Sequence, residues 1–276
     1  MSFLVSVINS VSNYAGNVMF RPFRGGHPLI PLGVFAFLTG VLMLVVYRFT
    51  SNQKAIRRAK DLMQAHVLAV RLFQDQLGVV LRAYGRILWA TLGYLRLSLV
   101  PLLVMFVPLA LLLVQLDARF AYRPPQAGEP LLLRVKVAQP ELVDGVSLGL
   151  PDGIALTAPL LRDIVEKEVI ARLEPHAPGI WTIEVNLAGG QYAKQMIVGD
   201  RLENISTTRV GPGIVERLLH PVEDPLPAAA PVVGIELAYP ERRITLGRFD
   251  LNWIVVFLVL SLAAGLAMKR PLRAEF

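Results

Sequence analysis

The chain contains no cysteine. That removes disulfide cross-links and every thiolate metal site. Histidine is scarce too: His27, His66, His176 and His220 are scattered, without the HExxH or His-plus-carboxylate spacing that holds zinc. There is no Walker phosphate loop, no GxSxG nucleophile elbow and no GxGxxG turn opening a helix. Two neighbouring acid pairs, Asp163/Glu166 and Glu223/Asp224, read as ordinary surface pairs rather than catalytic dyads. The expectation is a protein that is not an enzyme and carries no cofactor and no metal.

A further absence is charge within the long apolar runs. Leu29–Tyr47, Leu97–Leu116 and Leu251–Met268 contain no Asp, Glu, Lys or Arg. Each approaches the length of about 20 residues that a helix needs to cross a bilayer. Three transmembrane helices are therefore expected, and the lack of an ionisable residue deep within them argues against an ion-coupled transporter.

Acidic residues are also few between the first two runs. Residues 48–96 hold nine basic residues against Asp61 and Asp75, a net charge of +7. Short loops this basic stay cytoplasmic. That assignment places the N-terminus outside, residues 117–250 outside, and the tail with Lys269, Arg270 and Arg273 inside. The outside segment has 14 basic and 18 acidic residues, which agrees with the asymmetry. Trp253 then falls at the outer interface and Trp89 near the inner one, where indoles commonly anchor. The expected location is a bacterial inner (plasma) membrane.

The expected organisation is an amphipathic interfacial helix over 1–28, spans at 29–47, 97–116 and 251–268, a basic helical hairpin over 48–96, an outside β domain over 117–250 and a cytoplasmic tail over 269–276. In the first segment, Leu4, Val7, Ile8, Val11, Ala15, Val18 and Met19 recur at helical spacing, with Ser2, Ser6, Asn9, Ser10, Asn13 and Asn17 on the other face. It lacks the positive start of a signal peptide, so cleavage is not expected. It leads through residues 21–26 into the first span.

The hairpin carries a coiled-coil seam at Ile56, Ala59, Met63, His66, Val70, Phe73, Leu77, Val80, Tyr84 and Ile87. Both of its ends must return to one membrane face, so two antiparallel arms are expected, turning near Gln74–Gly78. His66 reads as a packing residue. Arg57, Arg58 and Lys60 form either a solvated, lipid-facing patch or a contact for a protein or ribosome. The second arm, 79–95, is more apolar, and Arg82 and Arg86 are placed to reach lipid phosphates.

The outside segment reads as β. Strands are expected at Leu131–Val137, Val169–Glu174, Trp181–Leu187, Tyr192–Val198, Val232–Ala238 and Arg243–Leu246, with a hairpin turn at Gly189-Gly190. The Pro178-Gly179-Ile180-Trp181 lead-in resembles that of bacterial immunoglobulin-like modules, and about seven short strands suggest a small sandwich. Residues 160–173 also fit helical spacing. A short amphipathic helix is expected within 211–220, followed by an extended Pro/Ala linker over 221–231. Asn204-Ile205-Ser206 is a formal sequon with little weight.

The order of outside N-terminus, span, cytoplasmic hairpin, two spans and inside C-terminus resembles the YidC/Oxa insertase superfamily, in its three-span branch. The resemblance is carried by TGVLMLVVYRFTSNQKAIRRAKDLMQAH, in which a span runs into a basic coiled-coil arm, and by the second span with Pro101 and Pro108. It covers roughly residues 1–116 and 250–270. It implies a polar groove open to the cytoplasm, lined by Thr39, Arg48, Asn52, Gln53 and Ser98, with Met63 of the hairpin receiving substrate. Two features depart from the family pattern. Arg48, the nearest candidate for a groove cation, lies at the end of its span, and the β domain falls between the second and third spans.

The implied partners are the lipid bilayer and nascent membrane proteins or a ribosome, with no specific nucleic acid. The competing reading is a scaffold or sensor: a subunit whose β domain meets an envelope partner and whose hairpin meets a cytoplasmic one, within a complex of other membrane subunits.

Overall fold

The computed structural model describes residues 2–23, 27–51, 53–72, 77–246 and 248–271. Residues 73–76, which hold most of the turn expected near Gln74–Gly78, residues 24–26 ahead of the first span, Asn52, and the tail from 272 on, with Arg273, lie outside the described residues; Leu77 and Gly78 of that turn are already helical. The chain folds as helices plus a β region, in two compact units: Met1–Pro31 with Leu111–Trp253, and Leu32–Ala110 with Ile254–Phe276.

Helix α1 spans Ser2–Phe20, α2 Leu29–Thr50, α3 Gln53–Leu72 and α4 Leu77–Phe120. By length and composition, α2 and α4 are the two helices among the described residues long and apolar enough to cross a membrane. Helix α6, Trp253–Met268, is apolar but has 16 residues, about 24 Å of rise. It starts two residues later than expected because Leu251 and Asn252 belong to a strand.

The hairpin's second arm does not end before the second span. Both lie on one 44-residue helix, α4. Nothing between Leu95 and Leu97 breaks the helix, and Pro101 and Pro108 sit within it rather than ending it. The arms touch where the Thr91 hydroxyl donates to Met63 Sδ at 3.3 Å. Met63, His66, Val70, Val80 and Ile87 are half-buried, as a seam requires. Tyr84 is exposed instead, and Ala83 takes the inward position. On the second arm the seam thus keeps Val80 and Ile87 and takes Ala83 in place of Tyr84 between them.

The β region has two principal antiparallel sheets and a small hairpin. The six-stranded sheet runs β3 (Ile154–Leu156), β5 (Glu168–Pro175), β1 (Leu131–Val137), β9 (Val232–Leu237) and β8 (Thr208–Val210), with β4 (Leu161–Asp163) also pairing with β5. The second sheet runs β2 (Ser147–Gly149), β6 (Gly179–Leu187) and β7 (Gly190–Val198). Strands β10 (Arg243–Leu246) and β11 (Phe249–Asn252) form the hairpin that leads into α6.

Alternation explains the core. In β1, Leu131, Leu133, Val135 and Val137 are buried. In β5, Val169, Ala171 and Leu173 follow the same period. These side chains share one core with Ile183 and Val185 of β6 and Met196 and Val198 of β7, so the two sheets bury a common interior.

Three local expectations are corrected. Residues 160–173 form no helix: they are β4, a turn and β5. The Asp163 carboxylate accepts the Val165 and Glu166 N–H groups at 2.9 Å each, and Lys167 takes a left-handed conformation with φ of 56°. Those two features turn the chain back on itself. The β6–β7 turn is centred on Ala188-Gly189, with φ of 50° and 75°, and Gly190 already pairs with Leu187. Residues 221–231 are no loose linker, since Leu226 is fully buried and the Leu226 N–H bonds the Val210 carbonyl at 2.8 Å. The short helix expected within 211–220 is α5, Ile214–Leu219.

Candidate functional site

Two features bear on function, one in each unit. The first is a cavity of about 460 Å³ within the helical unit. Helix α2 lines it with Thr39, Met43 and Tyr47, α4 with Met105 and Leu109, and α6 with Phe257, Ser261 and Leu266. The wall is overwhelmingly carbon, and polar atoms enter through Thr39, Tyr47 and Ser261. Ser261 also donates its hydroxyl to the Leu258 carbonyl at 3.1 Å. Such a wall suits an apolar segment or acyl chain, with a few hydroxyls to orient it.

Of the residues the sequence singles out for a groove, Thr39 lines this cavity and is buried. Arg48 is not in the lining. It is exposed, with its guanidinium 5.9 Å from the centre of the Phe49 ring. Gln53 and Lys60 stand on α3, and Ser98 on α4. Arg57, Arg58, Arg82 and Arg86 are exposed, and the Arg82 side chain donates to the Gly78 carbonyl at 2.9 Å. The second arm also exposes Leu81, Leu88, Trp89, Leu92 and Leu95, an apolar surface beside those arginines. Tyr47 and Ser261, which sequence reading missed as cavity residues, carry no local signal, because their meeting depends on how α2 packs on α6.

The second feature is the seat of α1. Its asparagines recur every four residues and therefore share one face. Asn9 donates to the Arg217 carbonyl at 2.7 Å and Asn13 to the Pro221 carbonyl at 2.6 Å. Gln115 donates to Asn13 Oδ1 at 2.9 Å. The Arg119 guanidinium, 2 % exposed, donates to Asn17 Oδ1 at 2.8 Å and to the Gln115 carbonyl and side-chain oxygens at 3.0 Å each. It also lies 4.8 Å from the Phe20 ring centre. Phe20 meets Phe120 edge-on at 5.8 Å, and Phe120 stacks on Trp253 at 6.4 Å. The polar face of α1 thus binds protein, while Val7, Val11, Tyr14, Val18 and Met19 are exposed.

That seat is continuous with a buried ion pair. The Lys194 ammonium of β7 donates to the Glu223 carboxylate, to the Ser206 carbonyl at 2.7 Å and to the Ser206 hydroxyl at 2.9 Å. Ser206 donates in turn to Glu223 at 2.5 Å, and the Gln195 N–H bonds the other carboxylate oxygen at 2.8 Å. Glu223, read from sequence as a surface acid, is nearly buried and clasps 221–224 onto β7. Desolvation pulls the Lys194 pKa down, partly opposed by Glu223. Asp163 serves the turn described above rather than a dyad.

Among the described residues no group of three or more His, Cys, Asp or Glu could hold a metal ion. No family model, no curated protein and no solved structure matches this chain.

Proposed function

We propose that this chain is an insertase-like membrane protein that receives apolar segments of client proteins between its helices and eases their entry into the bilayer. The observation that carries this reading is the cavity shared by α2, α4 and α6 next to a basic, partly apolar helical hairpin. In this reading α2, α4 and α6 are three spans of a bacterial inner-membrane protein, with the N-terminus outside and the C-terminus inside, an orientation that the +7 charge of residues 48–96 supports. The β region is an immunoglobulin-like sandwich outside, which its two antiparallel sheets and shared core support.

A polar or charged segment costs several kcal/mol to move through hydrocarbon. A groove that offers Thr39, Tyr47 and Ser261 hydroxyls among apolar walls lowers that cost for the polar backbone of an entering segment. The exposed arginines Arg57, Arg58, Arg82 and Arg86 hold the hairpin at the anionic cytoplasmic leaflet, where a nascent chain or ribosome arrives. Arg48, at the end of α2, marks the same boundary.

Site-specific photo-crosslinking from Thr39, Met63, Met105 and Ser261 in cells tests this. Adducts with many short nascent membrane proteins are expected, and Thr39→Leu should reduce insertion of a reporter client. A single discrete adduct, or none, would overturn the insertase reading.

A second reading, a scaffold within a membrane complex, draws on the tip between β4 and β5. Leu161, Ile164 and Val165 are exposed there, Val165 by 86 %. Three apolar side chains exposed together at one tip suit a protein partner. Purification in a fixed stoichiometric complex, with no client adducts, would favour it.

A further inference from the structure

A second cavity, of about 400 Å³, lies within the β-containing unit where the apolar run of α4 ends at Leu116 and α6 begins at Trp253. Its character is opposite to the first. Asp117, Tyr122, Glu241, Arg242, Arg243 and Asp250 bring two guanidinium groups and three carboxylates to one wall.

Arg242 is held there by backbone. Its N–H bonds the Ala121 carbonyl at 2.8 Å, and Tyr122 bridges Glu241 across the same two segments. Its Nε donates to the Tyr122 carbonyl at 3.3 Å, a long bond, while its Nη2 is buried and has no hydrogen-bond partner. Burial lowers the Arg242 pKa, and nearby Arg123 adds to that. A buried cationic donor without an acceptor is costly, and a small shift of the guanidinium toward an anion in the cavity it lines would remove that cost.

The carboxylates are unequally engaged. Glu241 is 4.0 Å from Arg243, and Asp250 accepts the Thr245 hydroxyl at 2.9 Å. Asp117 has no side-chain hydrogen bond or ion pair among the described residues. A free phosphate would satisfy Arg242 but face three carboxylates. A zwitterion with a phosphate and a hydrogen-bonding ammonium satisfies both ends.

We propose that this cavity binds the headgroup of phosphatidylethanolamine, its phosphate at Arg242 and Arg243 and its primary ammonium at Asp117. This rests on the reading of α4 and α6 as spans, which puts Leu116 and Trp253 at headgroup depth. A choline headgroup has no N–H to give Asp117, and a glycerol headgroup has no cation.

The test is native mass spectrometry of the full-length protein extracted from nanodiscs of POPE, POPC and POPG in equal amounts, alongside carbonate extraction of membranes. The protein should resist carbonate and retain POPE preferentially. Arg242→Gln and Asp117→Asn should each weaken that retention about tenfold, the effect of losing one charge-assisted hydrogen bond. Asp117 is exposed on its helix, so D117N reports on the site even if R242Q perturbs folding. Retention of the three lipids in proportion to supply, or unchanged POPE retention in D117N, would overturn the site alone. Stabilisation by inorganic phosphate equal to that by POPE would also overturn it, by making the cavity a soluble-anion site. Release by carbonate would overturn the span reading and the site with it.

Discussion

Gly40 and Ser261 set α2 against α6 with no side chain between them. A methyl group at Gly40 would lie 2.2 Å from the Ser261 carbonyl oxygen and 3.1 Å from Ala264 Cβ. Small residues at such crossings let helix backbones approach, which is how apolar helices gain packing energy when lipid is as apolar as their side chains. Gly40 and Ser261 also line the apolar cavity, so the crossing sets its width.

Gly40→Val should therefore drive α2 from α6, destabilising the helical unit by about 1–3 kcal/mol through overpacking. Gly33 is the internal control, since a methyl there meets nothing within 4 Å. Gly33→Ala should be neutral or stabilising by up to about 1 kcal/mol from helix propensity alone. Unfolding in mild detergent with added denaturant measures both. Equal effects at the two positions would show that α2 and α6 do not meet at Gly40.

Much of this architecture was legible from periodicity. The Leu131–Val137 and Arg243–Leu246 strands have the bounds their patterns imply, and the amphipathic helix expected over 1–28 is helix α1, which ends at Phe20. The strands that escaped notice are short, β2, β3, β4 and β8 having three residues each and β11 four, too few to show an alternation. The amphipathicity of α1 was readable, but which face meets protein was not. Asn9, Asn13 and Asn17 look solvated in sequence, and only the arrival of Arg217, Pro221, Gln115 and Arg119 from remote segments turns them inward. Thr39 lines a cavity whose wall is apolar rather than the polar groove the resemblance implies, and Tyr47 and Ser261 joined it through a helix crossing that no local pattern encodes.

Lys194 and Glu223 illustrate the same limit, being 29 residues apart in the chain. Breaking a buried pair leaves one charge uncompensated, at about 3–5 kcal/mol. Lys194→Met alone, or Glu223→Leu alone, should cost the β domain that much. The double variant should recover most of the loss, because neither charge remains buried without a partner. Chemical denaturation of the four proteins forms the cycle, and strict additivity of the two single losses would rule out the coupling.

Ala188 holds a left-handed backbone, φ 50°, in the first central position of the β6–β7 turn. Two-residue hairpin loops of this kind require φ > 0 at both central residues, a conformation that favours Asn and Gly over Ala. Ala188→Asn should thus stabilise the domain by about 0.5–1 kcal/mol, less than the full left-handed penalty because asparagine also prefers polar local bonds when unfolded. A rise in thermal midpoint with unchanged cooperativity is the expected result, and a fall would place the strain elsewhere.

His220 ends α5, its N–H bonding the Glu216 carbonyl at 2.9 Å, beside the strap that Glu223 fastens. Its imidazole pKa lies below the ordinary value of about 6.5, first because burial disfavours the charged ring and second because Lys194 repels it. Glu216 and Glu236 act in the opposite direction and do not reverse the shift. Between the folded pKa and about 6.5 the unfolded chain binds more protons than the folded one, so stability falls as pH falls through that window. Above it both states carry neutral imidazole and this contribution to the pH slope vanishes. His220→Gln keeps a polar side chain that cannot titrate, and should flatten the acid limb below about pH 6.5 while leaving the neutral plateau in place. Denaturation midpoints across that range, for the parent and H220Q, measure it. The same slope in both would assign the acid sensitivity to another group. A lowered plateau with the slope intact would show that His220 acts through packing alone.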